Sequence, residues 1–74
     1  MPVLTIRERT VRIERGKQAM RALSTADSAS RTDLGRGRDL LNLIYRVQDL
    51  TLVNQWTDEL EVLAHNVAGY EIPA

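Results

Sequence analysis

The apolar residues of this chain crowd into its second half. From Leu40 to Val67, fourteen of twenty-eight residues are large and apolar. On a helical wheel Leu40, Leu43, Ile44, Val47 and Leu50 share one face, while Val53, Trp56, Leu60, Leu63, Ala64 and Val67 lie on nearly the opposite one. The second set is spaced by threes and fours, which fits a heptad seam. One straight helix cannot bury both stripes against one neighbour. Either the chain breaks between Asp49 and Thr51, with Thr51 as N-cap, or a single helix of about thirty residues and ~45 Å is held by partners on both sides.

The first half is thinner in hydrophobic signal. Ile6, Ile13 and Met20 recur every seven residues, and Thr5-Ile6-Arg7-Glu8 has the form of a capping box, so a weakly amphipathic helix is expected from residue 5 to about Leu23. Gly16 weakens it, since a mid-helix glycine costs about 1 kcal/mol against alanine. A β-hairpin is the second reading, but Leu4/Ile6 and Val11/Ile13 alternate in opposite phase. Residues 24–38 contain one large apolar side chain, Leu34, among Ser, Thr, Asp and Gly, and read as a polar linker. Gly69 suits a left-handed residue at the end of the last helix, with Tyr70 folding back over its final turn. Pro73 keeps the tail extended. The pattern predicts an all-α single domain of residues 1–74 with helices near 5–23, 38–50 and 52–68, the last two being either separate or one.

Length and composition narrow the function classes. A 74-residue domain buries only about 60% of the surface that its unfolded chain exposes, so help from a partner or a second copy is expected. No cysteine and a single histidine leave no disulfide scaffold and no Cys/His zinc set. Arg7, Glu8 and Arg9 interrupt the N-terminus before any apolar run, and no stretch approaches the ~20 apolar residues of a membrane span. A cytoplasmic protein is the expectation, or a virion component if phage-encoded.

The zero net charge hides an asymmetry. Residues 1–38 carry nine basic against four acidic side chains, a net +5, and residues 39–74 carry one against six, a net −5. The halves either neutralise one another or face different partners. Arg7, Arg9, Arg12, Arg15, Arg36 and Arg38 are the candidate contacts to an acidic partner, whether nucleic acid or protein. Yet the cations of the first helix circle its whole wheel, whereas a DNA-reading helix aims them at one groove.

Candidate chemistry is sparse. Glu61 and His65 are four apart on one helix face, but two ligands do not make a metal site, and a solvated pair is the reading adopted. Asp58, Glu59 and Glu61 form an acidic cluster without evident burial. Ser24, Ser28 and Ser30 have no elbow or basic partner for nucleophilic catalysis. Gly35-Arg36-Gly37-Arg38 has the composition of a phosphate cradle without its spacing, and Asp39 at a helix start would repel the anion. Trp56 and Tyr45 are core residues or interface anchors. These residues point to a non-enzymatic assembly or interaction module with no cofactor, which self-associates or docks in a larger complex. Its interface is Val53, Trp56, Leu60, Leu63 and Val67. Its size suits a small phage or mobile-element structural or accessory protein. The alternatives are a nucleic-acid-binding regulator that uses the Arg-rich half and a small inhibitor that presents the acidic helix.

Overall fold

In the computed structural model, which describes residues 6–73, the chain forms three helices: α1 (Ile6–Thr25), α2 (Arg31–Arg46) and α3 (Leu50–Ala68). No strand occurs among the described residues. Thr5, the N-cap expected for α1, lies outside them. The cross-helix contacts fix the topology. Arg9 of α1 reaches Tyr45 and Val47 at the far end of α2, so these helices are antiparallel. Arg15 meets Glu61 and Ser28 meets Val67, so α1 and α3 run parallel. Short connections, residues 26–30 and 47–49, make an up-down-up bundle in which every helix touches the other two.

The expected polar linker at 24–38 is largely helix. Ser30 caps α2: its Oγ accepts from the Asp33 N–H and its own N–H donates to Asp33 Oδ2, both at 3.1 Å. This is a capping box with Asp at its fourth position. The helix continues through both glycines because Leu34, Gly37, Leu40, Leu41 and Ile44 turn toward the core. Leu43, expected on this stripe, instead stands outside it at 40% exposure.

Between the last two helices the chain does break, two residues earlier than Thr51 would place it. Val47 ends α2 in an extended conformation. Asp49, not Thr51, caps α3, its Oδ1 accepting from Thr51 N at 2.8 Å and Leu52 N at 3.2 Å. At the other end Gly69 takes the left-handed conformation, with φ 71°, and donates to His65 O at 3.0 Å. Tyr70 packs back on the core, as its position predicts.

The innermost residues are Ala19 and Leu23 of α1, Leu40 and Ile44 of α2, and Val53, Leu60 and Ala64 of α3. Ile13 and Met20 flank this centre. Gly16 is buried, and a Cβ there would lie 3.3 Å from Leu41 Cδ1, so the residue that weakens α1 in isolation lets α2 approach it. Gly37 does the same from the opposite side, where a Cβ would come within 2.7 Å of Leu23 Cδ2 and 2.8 Å of Met20 Sδ. Leu60 fills the space between, with one methyl near each glycine. Burial of a leucine of this kind stabilises by about 1.5–3 kcal/mol.

Candidate interaction surface

Two of the five seam residues, Val53 and Leu60, have no exposed surface, and Trp56, Leu63 and Val67 pack against the same core. The seam therefore joins α3 to α1 and α2 within one chain. Trp56, Leu63 and Val67 all keep some outer surface, and Leu63 lines a groove between α2 and α3.

The charged halves of the chain meet across the helices. Arg15 donates through Nε to Glu61 Oε2 at 3.1 Å and through Nη2 to Glu61 Oε1 at 2.8 Å, a forked pair. The Glu61 side chain is 1% exposed and the Arg15 side chain 23%. Glu61 is thus buried and bound to α1, rather than solvated beside His65. His65 is exposed, and its Nδ1–H donates to Tyr70 O at 2.9 Å, tying down the turn after α3. Burial pushes the Tyr70 phenol above its ordinary pKa; the Glu61 carboxylate adds to this and Arg15 opposes it.

The remaining candidate arginines divide by role. Arg9 donates to the carbonyls of Val47 and Tyr45, satisfying free acceptors at the negative end of α2. Arg36 makes a loose pair with Glu59 at 3.4 Å in solvent. Arg7 and Arg38 are exposed and Arg12 is half-exposed, none with an acidic partner among the described residues. Arg46 and Arg7 sit at one end of the bundle, and Arg21 and Arg31 at the other. This is not a single cationic footprint.

Among the described residues no three His, Asp or Glu side chains are grouped closely enough to hold a metal ion. Ser28 donates to Val67 O at 2.6 Å and Ser24 to Arg21 O at 3.0 Å, both structural bonds. The Gly-Arg-Gly-Arg segment lies inside α2, so its backbone amides are not an open cradle. Among the described residues no helix is long and apolar enough to cross a membrane.

The groove between α2 and α3 has a volume of about 510 Å³. Leu40 and Leu63 form its floor, and Val62, 48% exposed, stands on the α3 crest. Arg36 edges the α2 side; Asp58, Glu59, Gln55 and Asn66 edge the α3 side. Val62 and Asp58 belong to the exposed line 55-58-62-66, whose spacing of three and four marks a second face of α3. Sequence reasoning passed over Val62 because its neighbours on that line are polar. Comparison with protein-family models, curated proteins and solved structures returns no match.

Proposed function

We propose that the chain is a non-enzymatic interaction module that joins a protein assembly through the α2/α3 groove. The observation that supports this is the pairing of an apolar floor and crest (Leu40, Leu63, Val62) with charged lips of both signs, the usual composition of a small recognition surface. The fold closes its own core, so the groove is surplus to folding. A structural or accessory component, of the kind phages and mobile elements carry, is the class that this size and surface suit.

A protein partner accounts for the charges better than nucleic acid does. Arg9, Arg15 and Arg36 are engaged within the fold, Lys17 pairs with Glu14, and the rest are scattered, with Arg7 and Arg46 at one end of the bundle, Arg21 and Arg31 at the other and Arg38 midway along α2. Duplex DNA should therefore bind weakly and with a shallow salt dependence, whereas four phosphate contacts would give a log–log slope of about −3.6. The acidic-inhibitor reading loses Glu61 to the interior and Glu59 to Arg36, leaving Asp58.

The test is photo-cross-linking in the producing cell with a benzophenone side chain at position 62, and at position 18 on the exposed side of α1 as reference. The proposal expects protein adducts from position 62 and few from position 18. Equal yields, or adducts to nucleic acid alone, would contradict it.

A further inference from the structure

The two lips of the groove carry opposite charges at the same height. Arg36 stands on α2 and Asp58 and Glu59 on α3, and the 3.4 Å contact between Arg36 and Glu59 places them level along the groove. Glu59 is shared with Arg36, whereas Asp58 has no ion-pair partner among the described residues. A twofold axis lying along the groove would turn a second copy over while keeping each residue at its height. It lays α3 of the second copy across α2 of the first, antiparallel, and sets Arg36 opposite the partner's Asp58 in both directions.

We propose that the α2/α3 face pairs with the same face of a second copy about this axis, forming a symmetric dimer centred on four helices. The inference rests on the groove being the interaction surface and names its occupant. Charge self-complementarity across the lips favours a second copy over an unrelated helix. Apolar surface agrees, because two of the exposed large apolar residues flank the groove, Val62 on the α3 crest and Leu43 on α2 in a shallow pocket that shares Arg36 with it. The exposed side of α1 is a poor alternative ridge, since Val11 stands there between Arg7, Glu14 and Gln18. A stable dimer of standard size buries about 800 Å² per partner, about a sixth of this chain's 5140 Å² surface, which one helix-pair face can supply.

A charge-swap experiment tests it. Arg36→Glu sets a new carboxylate against the partner's Asp58 twice per dimer, and Asp58→Arg sets two guanidinium groups against each other twice. Mixing the two variants restores opposite charges at both contacts. By sedimentation equilibrium the wild type should approach twice the 8.4 kDa chain mass. Each variant alone should weaken the dimer at least tenfold while keeping wild-type helicity, since both positions are exposed. The equimolar mixture should regain the wild-type mass. A wild type that stays monomeric at high micromolar concentration overturns the proposal, as do variants that dimerise unchanged or a mixture that remains monomeric. If position 62 then still cross-links to another protein, the groove remains an interaction surface and only the second copy is excluded.

Discussion

On the inner face of α3, Val53, Thr57, Leu60, Glu61 and Ala64 have no exposed surface, whereas on its outer line Gln55, Asp58, Val62 and Asn66 stand in solvent. Both faces mix apolar and polar residues, and both include a carboxylate. What separates them is whether each polar group finds a partner in the chain. Thr57 Oγ1 donates to Val53 O at 2.7 Å, and Glu61 is held by the Arg15 fork, so these side chains enter the core without an orphaned atom. Asp58 has no such partner among the described residues, and it stands at the surface. Glu59 lies between the two, half-exposed in a loose pair that contributes little to stability. The exception is Asn54, whose Oδ1 is buried without a hydrogen-bond partner at the boundary of the two faces. Burial on the inner face thus follows satisfaction as much as hydrophobicity.

The largest loss is expected at Leu60. Its replacement by Asp removes the side chain between Gly16 and Gly37 and strands a charge there, at a cost of about 5 kcal/mol or more, comparable to the whole stability of so small a domain. Circular dichroism of Leu60→Asp should show an unfolded chain. Next comes the ion pair. Arg15→Met leaves Glu61 buried and unpaired and should cost about 3–5 kcal/mol in denaturant unfolding, while Glu61→Gln should cost less because Arg15 retains access to water. Adding Glu61→Leu in the Arg15→Met background should recover most of the loss.

The smallest effect uses two glycines of α2 that differ in the same way as the faces of α3. A Cβ at Gly35 meets nothing within 4 Å, so Gly35→Ala should stabilise by about 1 kcal/mol through helix propensity alone. A Cβ at Gly37 collides with buried Leu23, so Gly37→Ala should destabilise, by about 1 kcal/mol net after the same propensity gain. Opposite signs in thermal melts of the two variants would show that one glycine serves packing and the other does not.

Hydrophobic period made α1 and α3 legible almost to their ends. The two opposed stripes allowed either a break or one continuous helix held on both sides, and the chain takes the break; the left-handed turn at Gly69 follows from its position after the last stripe. The first seven residues of α2, before the expected start at 38, were hidden because their one large apolar side chain, Leu34, sits among glycines and charges. The Ser30/Asp33 box was the available signal, but its Asp stood in place of the more familiar Glu. Burial of Glu61 has no local signature, since its partner is forty-six residues away. The stripe of Val53, Leu60 and Val67 identified a buried seam, yet periodicity carries no information on whether the covering surface belongs to the same chain. The groove was missed because its crest alternates Val62 with polar residues and its floor comes from two helices.

We propose that α3 uses its inner face for folding and its outer face to hold a second copy. Val62→Asp tests it in one sample, by thermal unfolding together with sedimentation mass. The account predicts unchanged helicity and monomer stability, because Val62 is half-exposed, with the mass falling from dimer to single chain. A variant that keeps the wild-type dimer mass would contradict it, and so would one that loses its helices.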